Sequence, residues 1–549
     1  MSSASRAAAS PPVPSPQAWP EADASHLLVT SAQMADLEAG LFASGLPVES
    51  LMEKAALAVS RQLLQRLSDQ GPEGPHWSRG DGVVVLVGPG HNGGDGLVVA
   101  RELHLAGVPV RLWCPFERLR PLCETHLRHA LWLGVPRLEE PPEGRDDALW
   151  VDALFGIGQN RAPGAELEAL LQERQRQRPG RLAAIDVPTG LCADSGRRLG
   201  ATAAMASLTW SIGLIKRGLV QDAALAHVGR LERIDLALPA DLLASLPPSR
   251  PLGLTAADQR QAPRPQPLPD AAKYGRGRLL VVAGSRAYPG AAHLALLGAG
   301  ASGCGSLRAL LPPDLSRDLW QVLPHVIALP AEGACRDGSP LASLAAGAGH
   351  LLDRGRLDAV LIGPGLGLDR SPGEDRLWPA LGRFAGLLVL DADGLNRLAA
   401  AAAGEPALDW LRRRQGPTWL TPHAGEFARL FPSLADLPPL EAAARAARES
   451  GATVLLKGAR SVIADPAGGR WQLLEASSAA ARAGLGDVLA GYAAGWGAVG
   501  MAAEGRAEGS LLAVAGLDHA LAGMRLAEAG TGQVTPMAVA RQLGLSASG

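Results

Sequence analysis

The feature that most restricts this chain is a rhythm of short apolar runs, each closed by glycine or a polar residue and each followed by a helical pattern. VVVLV at Val83 to Val87 opens it, and further runs lie at Val108 to Trp113, Leu182 to Ile185 and Leu208 to Ile212, with helix-like stretches such as LEALLQERQRQ between them. APRPQPLPD, Ala262 to Asp270, interrupts the rhythm with four prolines in nine residues, which exclude regular structure. It then restarts with RLLVVAG, HVIAL, DAVLIG, LLVLDAD, TWLTP and TVLLKG. Strands alternating with helices build parallel sheets wrapped on both faces. Two α/β domains are therefore expected, and 549 residues are enough for two full cores. The expected boundaries are a disordered tail over 1–25, a first domain over 26–245, a linker over 246–270 and a second domain over 271–549.

Ligands of such sheets bind beyond the carboxyl ends of the strands. Those ends carry Gly88, Asp152 and Asp186 in the first domain and Gly363, Asp391, Thr421 and Lys457 in the second, which marks one candidate site in each. Composition argues against several other roles. A formal charge of -2 with 19% charged residues offers no basic surface for nucleic acid. Five scattered cysteines without a C-x-x-C pair argue against a disulfide framework or a cysteine zinc site and fit a reducing cytoplasm. The first 25 residues hold five prolines and no apolar stretch of signal-peptide length. AAHLALLGAGASGCGSLRALL, Ala291 to Leu311, carries His293 and Arg308 among its glycines and is not expected to span a membrane.

GPGHNGGDG contains the G-x-G-x-x-G spacing as Gly88, Gly90 and Gly93, after a strand-like run and before a helical one. That is the dinucleotide fingerprint of redox enzymes, which also expects an acidic residue about 20 positions on. Here that place reads VPVRLWCP, with no Asp or Glu, so a hydride-transfer reading lacks its ribose ligand. Asn92 and Asp95 in the loop, Asp152 in WVDALFGIG, and Asp186 and Thr189 in AAIDVPTGL supply amide, carboxylate and hydroxyl oxygens on neighbouring strand ends. Such a set suits a monovalent cation or a sugar-phosphate better than a divalent metal.

In the second domain ARAGLGDVLAGYAAGW places Gly484, Gly486 and Asp487 at the start of an apolar helix. Backbone N–H groups and the helix N-terminus then converge beside a carboxylate, an arrangement that holds a transferring phosphoryl group while the carboxylate orients or deprotonates the attacking hydroxyl. Lys457 and Gly458 close TVLLKG, where a point charge meets nucleotide phosphates. WLTPHAGEF offers Thr421, His423 and Glu426, but no second histidine stands near for zinc. LDADGLN adds two carboxylates that shape the cleft or bind magnesium through water.

Together VTSAQMADLEAGLFASGLPVESLMEKAALAV, VGPGHNGGDGLVVAREL, VDALFGIG, AIDVPTGL and IGLIKRGL resemble the epimerase domain of NAD(P)H-hydrate repair enzymes, a Rossmann-like three-layer αβα fold, over Leu28 to Pro239. KYGRGRLLVVAGS, YPGA, IGPGLG, LDADGLN, LTPHAGEF, LLKGARSVIA and GLGDVLAG resemble the dehydratase domain of the same enzymes, a ribokinase-like αβα fold, over Leu252 to Leu543. The first resemblance implies that His91, Asn92, Gly93, Gly94, Asp95, Gly156 and Gly158 meet the substrate and that Asn92, Asp152 and Thr189 hold K+. It makes Asp186 the candidate for moving a proton during epimerisation, with Lys216 as the alternative. The second implies that Ala291, Gly365, His423 and catalytic Asp487 meet the hydrated dinucleotide, while Lys457, Gly458, Ala459, Arg460, Ser461 and Gly486 meet ADP or ATP, with Mg2+.

The implied substrates, NADHX and NADPHX, carry a hydroxyl on the carbon beside the ring nitrogen. A nucleotide phosphorylates it, phosphate departs, and the reduced nicotinamide returns, leaving AMP from ADP or ADP from ATP. The first domain interconverts the two epimers so that both are repaired. The fusion resembles bacterial members that use ADP, and a cytoplasmic homo-oligomer without nucleic-acid or membrane partners is expected. The residues alone leave open a ribokinase-like vitamin-precursor kinase fused to a non-catalytic binding module. Two positions depart from the family pattern: His91 replaces an asparagine, and Leu485 replaces a hydroxyl residue between two glycines, with Ser477 and Ser478 as the nearby hydroxyls.

Overall fold

A computed structural model describes residues 19–68, 77–330, 339–352, 357–369, 373–400, 404–475 and 477–546. The first unit contains β1 (Leu28–Val29), β2 (Val83–Val87), β3 (Val110–Trp113), β4 (Arg137–Leu138), β5 (Leu149–Ala153), β6 (Leu182–Ile185), β7 (Leu208–Ile212), β8 (Ile215–Lys216) and β9 (Arg230–Ile234). Seven of these form one sheet in the order β4-β3-β2-β5-β6-β7-β9, parallel throughout, while β1 and β8 make a separate parallel pair.

The second unit contains β10 (Leu252–Leu254), β11 (Arg278–Val282), β12 (Ser306–Leu311), β13 (Ile327–Pro330), β14 (Ala359–Ile362), β15 (Leu387–Leu390), β16 (Thr418–Leu420), β17 (Thr453–Leu456), β18 (Val462–Ala464) and β19 (Arg470–Leu473). Its ten strands run β10-β19-β18-β17-β16-β15-β14-β11-β12-β13, parallel except where β18 meets its two neighbours.

Both faces of each sheet are covered. Val83, Val85 and Val87 enter one core and Val84 and Leu86 another; Leu279 and Val281 are divided from Leu280 and Val282 in the same way. Burial on both faces is why these strands read as unbroken apolar runs rather than alternating ones. The segment Ala291 to Leu311 resolves into the helix Pro289–Ala301 followed by β12. Its small residues let that helix press against Leu485–Glu504: a methyl on Gly298 would lie 2.1 Å from the Val488 oxygen, and one on Gly491 would lie 1.9 Å from the Ala295 oxygen. This contact fixes the start of the Leu485–Glu504 helix, where Gly486 and Asp487 sit.

Two stretches expected to lack structure have it. Within the expected linker, Leu252–Leu254 is the edge strand β10, paired in parallel with β19, because buried Leu254 completes the second core. Of the expected tail, residues 1–18 lie outside the described ones, but Trp19 packs on the second unit: its indole N–H donates to the Asp258 carbonyl (3.2 Å), and its carbonyl accepts from the Trp471 indole (3.2 Å). His26 then bridges Asp23 and Asp258, 2.8 Å to each. No helix among the described residues is long and apolar enough to cross a membrane.

Candidate active sites

In the first unit two glycines of the fingerprint loop are set by close packing. A methyl on Gly88 would fall 1.6 Å from the Leu154 oxygen and one on Gly93 would fall 2.0 Å from the Gly88 oxygen, whereas Gly90 faces open space. The helix His91–Leu105 starts there and carries Asn92 and Asp95 to a cavity of about 1240 Å³. Gly90, His91, Asn92, Asp95, Gly156, Gly158 and Asp186 line it, whereas Gly93 and Gly94 pack behind its wall, Gly94 against Met52. Arg118, Arg120 and Arg161 also line it, a set of cations that no motif announced.

Asp186 follows β6 with φ 68, one of three non-glycine residues in the left-handed region among those described. Both of its carboxylate oxygens accept hydrogen bonds. Oδ1 accepts from the Lys216 ammonium and the Ile212 N–H (3.3 Å), and Oδ2 from the Ile157 N–H (3.1 Å). Lys216, 1% exposed, also donates to the Ile212 carbonyl at 2.6 Å. Lys216 and Asp186 thus form a closed pair.

Beside that pair stand two carboxyl groups with no hydrogen bond among the described residues. Asp95, 8% exposed, is pushed well above the usual carboxylate range by burial and then by Asp186 and Glu38. Glu38, on the helix Ser31–Ala43, is raised to about 7 by burial and by Asp186, with Lys216 opposing. It also lines the cavity. Nothing in ADLEAGL separates Glu38 from an ordinary surface glutamate, because the partners that reveal it lie far along the chain.

Asp152, Thr189 and Asn92 hold the expected oxygens. The Thr189 hydroxyl and N–H each donate to Asp152 at 2.8 Å. Burial raises Asp152 to about 6, against hydrogen bonds from Thr189 and Leu154. The Asn92 side-chain nitrogen is buried without a partner.

In the second unit Asp487 occupies the first turn of Leu485–Glu504, after Gly484 in the left-handed conformation. Burial raises its carboxyl to about 7, aided by Asp391 and opposed by Lys457, with smaller contributions from Asp393 and Glu426. Lys457 donates to Asp391 at 2.7 Å and lies 3.9 Å from Glu426. Burial works against its charge, but these carboxylates outweigh it and keep the ammonium protonated. Asp391 also accepts from the Thr421 hydroxyl at 2.8 Å, and the next residue, Ala392, has φ 47. A methyl on Gly486 would come 3.4 Å from the Lys457 nitrogen, so the lysine faces the helix start.

His423 caps the helix Ala424–Leu430 through Gly425 N–H (2.9 Å) and is 54% exposed at its side chain. Gly365 and Ala291 are brought together: a methyl on Gly365 would lie 2.8 Å from the Ala291 methyl. Leu485 is buried, and the Ser477 hydroxyl accepts from Ala479 N–H within its own turn.

The loop Gly458 to Ser461 is held from the other unit. Asp222 accepts from Ala459 N–H and Arg460 N–H, 2.9 Å each. The Arg460 guanidinium donates to the Leu219 carbonyl (3.1 Å), and Gln221 donates to Gln472 (3.1 Å). A cavity of about 130 Å³ lies here between the units, lined by Asp222, Lys457 and Arg460 among others.

Comparison with known proteins matches a separate family in each part of the chain. Residues 279–543 match the family described as NAD(P)H-hydrate dehydratase, and residues 48–218 match the YjeF-related protein N-terminus. The bifunctional NAD(P)H-hydrate repair enzyme Nnr of Gloeobacter violaceus is 44% identical over 475 residues, covering 84% of this chain and 87% of that protein. The enzyme of the same name from Synechocystis is 40% identical over 470 residues, covering 85% of each. A solved ADP/ATP-dependent NAD(P)H-hydrate dehydratase from Bacillus subtilis aligns with 53% of this chain and 96% of its own at 25% identity and TM-score 0.44.

Proposed function

This chain belongs to the bifunctional NAD(P)H-hydrate repair enzymes, and we propose that its two sites divide that repair between them as follows. It is an isomerase and a lyase in one polypeptide: the first unit interconverts the R and S hydrates of NADH and NADPH, and the second dehydrates the S epimer back to the reduced nucleotide.

The reading of the second site rests on one observation above others, the Lys457 ammonium facing the start of the Leu485–Glu504 helix beside Asp487. Phosphates of ADP or ATP lie against Lys457, the Gly458 to Ser461 loop and Gly486. Asp487 removes the proton of the substrate hydroxyl as its oxygen attacks the terminal phosphorus, and AMP or ADP leaves. The ring-nitrogen lone pair then expels phosphate, and the neighbouring carbon releases a proton to restore the ring double bond. Ala291, Gly365 and His423 border the dinucleotide. Mg2+, when bound, would neutralise phosphate charge, and Asp393 and Asp487 are the carboxylates that would hold it through water.

In the first cavity Arg118, Arg120 and Arg161 suit the diphosphate of the dinucleotide. Asp186, held by Lys216, orients the hydrated ring together with Asp95, His91, Asn92 and the glycine backbones at 156 and 158. K+ fits the neighbouring donors: Asp152 and Thr189 supply oxygens, and turning the unpartnered Asn92 amide presents a third. The ion would compensate the buried Asp152 charge. The described cysteines are free, which supports placement in a reducing cytoplasm.

The test is direct. Hydrated NADH is incubated with the chain and ADP or ATP, and the return of reduced-nicotinamide absorbance is followed. Recovery of both epimers supports the whole scheme, recovery of one alone removes the epimerase half, and recovery with neither nucleotide removes the dehydratase half.

A further inference from the structure

Resting on the epimerase reading, we propose that Glu38 is the proton-transfer residue of the first site, and that Asp186, tied to Lys216, is a positioning residue for it. Asp186 has both oxygens committed to Lys216 and to two backbone N–H groups, and Lys216 is committed in turn to Asp186 and the Ile212 carbonyl. A proton taken up by Asp186 removes the charge that holds buried Lys216, whereas one exchanged at Glu38 disturbs no ion pair. The Glu38 carboxyl lines the same cavity, makes no hydrogen bond among the described residues, and is presented by a helix whose start is locked by the Thr30–Gln33 capping box. That start is tied down further by Asp194, which accepts from the Ser31 N–H at 2.7 Å.

The step balances within the site. Protonated Glu38 gives its proton to the ring hydroxyl, and the carbon–oxygen bond breaks with its electron pair staying on oxygen, which leaves as water. The ring-nitrogen lone pair forms the carbon–nitrogen double bond, and the cation is offset by the Asp186 and Glu38 carboxylates. Water then adds to the opposite face of the same carbon and returns a proton to Glu38, so no other reactant is consumed. The charged and titratable groups facing Glu38 are Asp186 after β6, Lys216 in β8 and Asp95 on His91–Leu105. Burial and the Asp186 charge, opposed by Lys216, raise the Glu38 carboxyl to about 7, a range suited to giving and regaining a proton.

The experiment uses the full chain and separated epimers of hydrated NADH, without nucleotide, and measures interconversion above the spontaneous rate. Glu38→Gln lowers kcat by about a hundredfold or more, the range for loss of a general acid, with KM within about threefold. Glu38→Asp retains part of the rate with a displaced pH profile. Thermal unfolding followed by circular dichroism that matches the unsubstituted chain, together with dehydration of the pure S epimer by the second site, reports that both units of each variant are folded. A Glu38→Gln rate equal to that of the unsubstituted chain overturns the proposal and leaves the epimerase reading standing. No acceleration by the unsubstituted chain overturns both.

Discussion

The two sites are built alike and used oppositely. Each places a lysine against a strand-end aspartate, Lys216 on Asp186 and Lys457 on Asp391. Each leaves a second carboxyl nearby that burial and the paired aspartate raise to about 7, Glu38 in one and Asp487 in the other. The difference lies in the lysine. Lys216 is sealed, 1% exposed, with its donors spent inside the protein, whereas Lys457 is 19% exposed and faces the start of the Leu485–Glu504 helix. One pair sets the electrostatics of a cavity; the other, in the proposed chemistry, also meets the nucleotide. In neither is the paired aspartate free to shuttle a proton, which is why the neighbouring carboxyl carries that role in the proposed chemistry.

The comparison breaks most sharply at Asp487. Asp487→Asn is expected to lower nucleotide-dependent dehydration by about a thousandfold, the scale of losing a catalytic base. Nucleotide affinity measured by titration calorimetry and epimerisation by the other unit should both be retained, and near-normal dehydration would remove Asp487 from the chemistry. Lys216→Met strands the buried Asp186 charge. It should cost about 3–5 kcal/mol in urea unfolding, the scale of deleting one partner of a buried pair; a cost below about 1 kcal/mol, typical of an exposed pair, would show that Lys216 is not sealed.

The pH profiles sharpen the contrast further. Glu38 begins its step protonated, so epimerisation should fall about tenfold per unit as pH rises above its value of about 7; Asp487 begins ionised, so dehydration should fall by the same factor as pH drops below about 7. Profiles bending in the same direction would mean that one role is misassigned. A smaller effect tests the bond between the units. Asp222→Ala frees the Ala459 and Arg460 N–H groups and should raise the nucleotide KM about fivefold, near 1 kcal/mol, with epimerisation unchanged. An unaltered KM would make the contact a packing feature only. Smallest of all, His91→Asn, at a position lining the first cavity, should shift epimerisation by no more than about threefold. A large gain would mean that His91 handicaps the loop.

Much of this protein is legible before folding. Two-sided burial writes continuous apolar runs into parallel strands, so the sheets, their order of appearance and the strand-end residues Asp152, Asp186, Asp391 and Lys457 can be read from the chain. The motif GLGDVLAG also announces its own geometry, since a glycine turn, a helix start and an aspartate are local. The edge strand at Leu252–Leu254 and the strap at Trp19 escaped notice because short segments beside prolines form only when a distant partner, β19 or Trp471, supplies the other half of the contact.

What the sequence by itself determined is therefore the pair of α/β sheets, the family, and the residues whose neighbours along the chain define them. Tertiary structure alone decided which carboxyls are paired and which are not. Asp186 and Glu38 are both acidic residues in the sequence; only folding ties one to Lys216 and leaves the other unpartnered on a cavity wall, because burial and charge fields depend on distance through space. The same holds for Asp222, which belongs to one unit and holds the backbone of the other's loop at Ala459 and Arg460.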